Sequence, residues 1–304
     1  MMHACCMMPN TAVTTLDAQW SDDFHHALHV LLTGEKTGYY ADFGTVEDLG
    51  KVMRDGWLYA GQLSHFRKRR HGNSPTGIAT HQFVVFNQNH DQVDNRAGGE
   101  RIADLVDLES LKMAAGVTLL SPFVPLLFMG EEYGEMQPFQ YFTSHGDQDL
   151  IEAVRKGRRD EFAAFGWTEI PDPQSEATFE RSKLNYRATD KPQHRILRNF
   201  YRDLIALRKK FRLGGRKPEG ECDKQQQTIR LGYREPGLLA VYHFGDAAIS
   251  LSEPTSAQSG AVILNSDDPR WREPVASPAE PPAEQIVLGR NSFVVFASAV
   301  SAKP

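Results

Sequence analysis

The chain has 304 residues, 40% of them hydrophobic and 24% charged, with a formal net charge of -5; that suffices for one large domain, or a large and a small one, in an ordinary globular protein. The negative balance argues against a generic nucleic-acid binder, and no apolar run reaches the ~18 residues of a membrane span. Cys5, Cys6 and Cys222 form no spaced framework, which predicts a reducing compartment and no metal site.

Residues 1–15 carry no period and are expected to be poorly ordered, and the opening Met1-Met2-His3-Ala4-Cys5-Cys6-Met7-Met8-Pro9 lacks the charged and long apolar regions of a signal peptide. A cytoplasmic protein is expected. From Asp17 onward Trp20, Phe24, Ala27, Leu28, Leu31 and Leu32 recur at helical spacing, and Gly34 ends the run like a cap. A shorter helix through Val46, Leu49, Val52 and Met53 has Thr45 as its N-cap and Gly56 as its stop. Residues 57–81 have no period and predict a long surface loop. Its basic run Arg67-Lys68-Arg69-Arg70-His71 has no interleaved aromatic platform, so it reads as a solvated loop, with a ligand or RNA contact as the alternative.

Phe83-Val84-Val85-Phe86 then reads as a buried strand, and the polar cluster Asn87-Gln88-Asn89-His90-Asp91-Gln92 follows it without a spacer, as a site at a strand tip would. Leu105 to Leu120 is a helix pattern halted at Ser121-Pro122. Val124 to Met129 is a second apolar strand, tipped by Gly130-Glu131-Glu132. Strand, helix, strand with both strands apolar throughout predicts a βαβ crossover in a parallel sheet, with both tips at its C-terminal edge. Helices are expected over 149–165 and from Ile196 to Phe211, the latter strongly amphipathic and closed by Gly214-Gly215. Beyond that the texture changes to short strands at 228–233, 238–244, 261–264, 285–288 and 292–297 with no helix among them, and the Pro-rich stretch 269–282 as a loop. An all-β module follows an α/β part.

A carboxylate beside an imidazole at a strand's C-terminal end can hold a sugar: Asp91 would accept from two hydroxyls of one ring and His90 could donate to a neighbouring oxygen, bonds that tighten as the ring flattens toward an oxocarbenium ion. The alternative is that Asn89, His90 and Asp91 cap a turn, since Asn and Asp are turn formers. Asp22, Asp23, His25 and His26 make a second cluster. Adjacent histidines on a helix diverge by about a hundred degrees, which disfavours a metal and leaves buried hydrogen bonding or sugar contact. Glu131 and Glu132 are either acids of the chemistry or partners of arginines and backbone N–H groups.

Several longer stretches carry a resemblance: Leu16-Asp17-Ala18-Gln19-Trp20-Ser21-Asp22-Asp23-Phe24-His25-His26-Ala27-Leu28-His29, Gly38-Tyr39-Tyr40-Ala41-Asp42-Phe43-Gly44, Asn87 to Gln92, Gly99-Glu100-Arg101, Pro125 to Glu132 and Gly157-Arg158-Arg159. Over about 16–300 the chain resembles the malto-oligosyltrehalose trehalohydrolases, a branch of the α-amylase superfamily (glycoside hydrolase family 13). The Asp-Asp-Phe-His-His and Gly-Arg-Arg segments point to that branch within the superfamily. The resemblance implies the C-terminal part of a (β/α)8 barrel over 16–213, a β-sandwich over 214–304, and unrelated residues 1–15. It implies retaining hydrolysis of the α-1,4 bond next to the trehalose unit of maltooligosyl trehalose. Asp91 would be the transition-state stabiliser with His90 beside it, and Trp20, Asp23, His25, Gln88, Asn89 and Gln92 would contact substrate. No cofactor, metal, nucleic-acid or membrane partner is implied, and oligomeric state is left open.

Two departures stand out. Asp94 replaces a glycine the family usually has, at an expected small cost in left-handed backbone. The nucleophile motif of Gly-Phe-Arg-x-Asp type and the acid/base Glu motif do not occur in these 304 residues. Retaining hydrolysis needs two carboxyls ~5 Å apart, one attacking and one protonating. The expectation is therefore an incomplete barrel, inactive by itself. A non-catalytic glucan-binding fragment and a truncated gene product are the alternatives.

Overall fold

The structure, a computed structural model, describes residues 16–163, 170–251, 260–272 and 286–298; the expectations for 1–15 and for most of the Pro-rich stretch lie outside them. The first strand and helix meet at one capping serine. Ser21 accepts the Phe24 N–H on its hydroxyl and starts α1 (Asp22–Thr33), which stops at Gly34 in the left-handed region, φ 76°. Trp20 thus falls outside the helix its spacing predicted. With the N-cap residue extended, the chain before it continues as β1 (Gln19–Trp20), parallel to residues 83–84. α2 (Val46–Asp55) begins at a Thr45/Asp48 capping box and ends at Gly56, as expected.

The stretch 57–81 is not the structureless loop its composition suggested. β2 (Ala60–Ser64) and β3 (Arg69–Gly72) form an antiparallel hairpin, and the basic run makes its turn and returning strand, with Lys68 at φ 53°. One carboxylate imposes this: Asp42 accepts from the Tyr59 and Ser64 hydroxyls and from the His65 and Phe66 N–H groups. Such long-range polar anchoring leaves no trace in hydrophobic periodicity.

β4 (Phe83–Val85) is followed by α3 (His90–Asp94), α4 (Ile102–Leu105), α5 (Leu108–Leu119) and β5 (Val124–Pro125). The helix expected over 105–120 is α5, which starts three residues later, because Val106 is extended and Asp107 caps the start on the Ser110 N–H, while Leu105 ends the short α4. The second strand is two residues long rather than six, and Val124 is 42% exposed. Beyond it the Phe128 N–H turns to the Glu131 carboxylate and Gly130, φ 88°, opens a 3-10 turn over Glu131–Tyr133. The three strands nevertheless form a parallel sheet in the order β1-β4-β5, so the tips after β4 and β5 share its C-terminal edge as expected.

α6 (Gln148–Ala163) and α7 (Glu176–Arg181) precede α8 (Pro192–Phe211), whose apolar face buries Leu197, Phe200, Tyr201, Leu204 and Phe211. α8 closes at Arg212 in left-handed conformation, φ 49°, ahead of the Gly214-Gly215 pair, with the Arg212 N–H on the Arg208 and Lys209 carbonyls. The Arg208 guanidinium donates to the carbonyls of Leu119, Ser121 and Phe123, satisfying acceptors the end of α5 leaves open.

Among the described residues seven strands follow: β6 (Glu219–Asp223), β7 (Thr228–Tyr233), β8 (Leu238–His243), β9 (Ile249–Leu251), β10 (Ala261–Asn265), β11 (Ile286–Leu288) and β12 (Ser292–Ala297). The antiparallel order is β10-β12-β8-β7-β6, with β9 and β11 paired separately. β6 and β9 lie outside the strands the sequence predicts: Glu219–Asp223 is mostly exposed and β9 has three residues, so neither carries an apolar run. The helix-free expectation is corrected by a 3-10 turn at Pro269–Trp271, capped by the Asp268 side chain and anchored by buried Trp271.

Alternation along the strands splits the core. Leu238, Ala240 and Tyr242 of β8, with Phe293, Val295 and Ala297 of β12, join one cluster with the residues of α1, α2, α5 and α8, whereas Val241, Val294 and Phe296 face β9 and β11. Phe293 reaches so close to α5 that a Cβ on Gly116 would lie 2.3 Å from its ring. Beside it Lys112, fully buried, donates to the carbonyls of Ser266 (2.7 Å) and Trp271 and pairs with Glu109. Among the described residues no helix is long and apolar enough to cross a membrane.

Candidate functional site

The tip after β4 begins with three polar residues that are nonetheless buried, Asn87, Gln88 and Asn89. The Asn89 side chain accepts the N–H groups of Asp91 (2.8 Å) and Gln92 (3.3 Å), capping α3. Asn89 therefore does cap a turn, and the cap presents His90 and Asp91 at the surface. Trp20, 41% exposed, lies edge-on to the His90 ring at 5.8 Å and to Phe86 at 5.7 Å. A flat aromatic, an imidazole and a carboxylate thus share one exposed corner at the C-terminal edge of the parallel sheet.

That corner is held laterally. The Asn95 side-chain amide donates to Asp91 (3.3 Å), and Arg158 of α6, stacked 4.7 Å over the Tyr141 ring, donates to the Asp94 carbonyl and the Asn95 side-chain oxygen. Asp94 is not among the residues with positive φ; it sits inside α3, so the expected left-handed strain does not arise.

The other sequence-selected residues lie beneath. Asp23 is buried and accepts the N–H groups of Leu58 (2.7 Å) and Tyr59 (3.0 Å). His25 is buried between the Asn87 carbonyl at Nδ1 and the Tyr40 hydroxyl, 2.9 Å from Nε2, with Phe86 stacked on it. Burial above all, then the neighbouring His29 and His26, holds its pKa well below the usual imidazole value. A carbonyl only accepts, so neutral His25 carries its proton on Nδ1 and takes the Tyr40 O–H on Nε2. Gln88 accepts the Ile102 N–H, and Gln92 donates to Asp22 (3.3 Å).

The cluster has members the sequence reading overlooked. His29, one turn after His25, stacks on Tyr40 with centroids 4.6 Å apart and contacts Glu35 through Nε2 at 2.7 Å. Glu35 also takes both Nη groups of Arg96, at 2.8 and 3.0 Å. Hydrogen bonds from His29 and then Arg96 lower the Glu35 pKa to about 2. The i, i+4 spacing of His25 and His29 was the available signal; that Arg96 returns to Glu35 from 61 residues away had none.

Glu131 is buried behind the second tip, accepting the Phe128 N–H and the Tyr201 hydroxyl (3.2 Å). Desolvation raises its pKa to about 8, so it is largely protonated at neutral pH. Of the two readings offered for it, backbone and hydroxyl partners are what it has. Among the described residues no group of three or more His, Cys, Asp and Glu side chains could hold a metal ion.

Comparison with known proteins brings out consistent kin. Malto-oligosyltrehalose trehalohydrolase of Saccharolobus solfataricus is 44% identical over 253 residues, covering 83% of this chain and 42% of the relative. The protein of that name from Mycobacterium tuberculosis is 45% identical over 268 residues, 86% of this chain and 44% of its own length. The chain thus spans less than half the length of these curated relatives. A crystal structure from Salmonella typhimurium, provisionally assigned as an alpha amylase, superposes with a TM-score of 0.78 at 33% identity, over 95% of this chain and 49% of that one. A pullulanase from Paenibacillus barengoltzii shares the fold at 15% identity and a TM-score of 0.51, over 92% and 38% of the two chains. No family model matches.

Proposed function

Since this chain belongs to the malto-oligosyltrehalose trehalohydrolase family over the stretch it matches, we propose that it carries the transition-state-stabilising corner of a glycoside hydrolase that releases trehalose from maltooligosyl trehalose. In this reading the parallel sheet is the sixth to eighth strands of a (β/α)8 barrel within 16–213, and 214–304 is the β-sandwich of a cytoplasmic enzyme. The observation that carries the reading is the exposed trio of Trp20, His90 and Asp91 at the C-terminal strand edge, where barrel enzymes keep their chemistry.

Each residue has a role in that corner. The Trp20 face offers a platform to a glucose ring, Asp91 accepts from vicinal hydroxyls, and His90 donates beside it. Bonds from sugar hydroxyls to Asp91 strengthen as positive charge develops at the anomeric carbon, which lowers the barrier to the α-1,4 cleavage. Asn89, Asn95 and Arg158 fix the Asp91 turn, while Asp23, His25 and Gln88 act from below as buried supports. The nucleophile and the acid/base, which would complete a retaining mechanism, are absent from these 304 residues. By themselves the residues bind α-glucan and do not hydrolyse it.

The test is titration of the 304-residue chain with maltohexaose, followed by tryptophan fluorescence, beside an assay for trehalose release from maltooligosyl trehalose. Saturable binding that Asp91→Asn weakens at least tenfold, with no trehalose formed, is the expected result. Trehalose release at enzymatic rates, or binding indifferent to Asp91→Asn, would overturn the proposal.

A further inference from the structure

Between α1, the tip after β4 and the start of α4 lies a small cavity of about 10 Å³, lined by His25, His29, Asn87, Gln92, Arg96 and Glu100, among others. Four buried polar atoms belonging to its lining find no hydrogen-bond partner in the chain: Asn87 Oδ1, Gln92 Oε1, Arg96 Nε and Glu100 Oε2. Arg96 Nε and Glu100 Oε2 stand 3.5 Å apart, an ion-pair distance too long for a good hydrogen bond. The Gln92 oxygen is assigned by chemistry, since its amide nitrogen is spent on the Asp22 carboxylate. Asn87 is itself only 2% exposed, so its oxygen has been taken from bulk water without compensation.

We propose that this cavity is the binding site of one ordered water molecule, which donates to two of the three oxygens and accepts from Arg96 Nε. Three arguments converge. The volume matches a single water, which needs roughly 10–15 Å³ of such space and two to four polar partners. Leaving a buried acceptor unpaired is costly, and a bridging water removes that cost for several atoms at once. The partner set has three acceptors and one donor, so one water satisfies the donor and two of the acceptors, and Glu100 Oε2, 3.5 Å from Arg96 Nε, keeps its ion pair when it is the oxygen left over. A sodium ion would have to sit against the Arg96 guanidinium, which repels it, and would leave Nε unpaired.

The consequence is mechanical. Asn87 closes β4, Gln92 lies in α3, and Arg96 and Glu100 lie on the chain leaving it. One water therefore pins, from beneath and at both ends, the turn that exposes His90 and Asp91. The inference rests on packing and hydrogen-bond inventory and stands whether or not that turn binds sugar.

The test is a crystal structure of the full chain at a resolution that shows ordered waters, with Glu100→Gln and Gln92→Met beside the parent. A peak about 2.7–3.2 Å from at least three of the four atoms is expected. It should survive in Glu100→Gln, which keeps an acceptor, and be lost in Gln92→Met, with the melting temperature lowered by about 2–4 °C. A cavity closed by rotamer changes overturns the proposal, as does a peak about 2.4 Å from the oxygens alone, the mark of a sodium ion. If crystals fail, slow-exchanging water detected by NMR at the His25 ring or Arg96 Nε–H supports the site, and its absence there refutes it.

Discussion

Substituting Glu35 by Gln probes the network under the tip most directly. The carboxylate pKa falls from 4.5 to about 2 on folding through its bonds to His29 and Arg96, a shift that carries at most about 3 kcal/mol. Side-chain exposure of 35% screens those charges, and roughly 1–2 kcal/mol is the realistic contribution. The sign follows from the direction: a depressed carboxyl pKa stabilises the fold fully above about pH 4.5 and loses that contribution as the pH falls toward 2. At pH 3 about two fifths of it remains by the same linkage. Urea unfolding of parent and Glu35→Gln between pH 3 and 7 should show the variant less stable at neutral pH, with the gap closing on acidification. A gap of constant size over that range would refute the electrostatic account, leaving only lost packing.

Trp20→Ala should weaken maltohexaose binding several-fold while changing stability by less than about 1 kcal/mol, because the ring is 41% exposed; calorimetric titration and urea unfolding read the two effects separately. Asn89→Ala removes the cap of α3 and should cost about 1 kcal/mol; a loss under 0.3 kcal/mol, roughly, would mean the α3 N–H groups find other partners. Lys112→Met should destabilise by about 1–3 kcal/mol, since the carbonyls of Ser266 and Trp271 lose its ammonium donor, and a variant as stable as the parent would show that water replaces it.

The sequence announces those parts of the molecule whose causes are local. The Thr45 cap, the amphipathic face of α8 and the alternating β7, β8 and β12 each declare themselves within a dozen residues, because side-chain period and capping chemistry act at short range. The tip after β4 was likewise visible as a polar run behind an apolar one. What stayed hidden has two causes: the β2–β3 hairpin hangs on Asp42, remote in the chain, whereas the late start of α5 at the Asp107 cap on Ser110 and the strand at Trp20 beside the Ser21 cap turn on short-range capping bonds that interrupt an apolar spacing without altering it. At the site, Asp91, His90 and Trp20 share a corner, whereas Glu35, Arg96 and Tyr40 enter through contacts no spacing encodes.

The close approach of Phe293 to Gly116 has a meaning in time as well as in space. The face of α5 that receives this ring is synthesised well before the ring itself, and at typical elongation rates the wait is about 10–35 s. Lys112 waits likewise for the Ser266 carbonyl, 154 residues later. Until the last strand arrives, an apolar seam and a buried-to-be ammonium stand open on the nascent chain. The packing of α5 is therefore completed only after β12 has been synthesised.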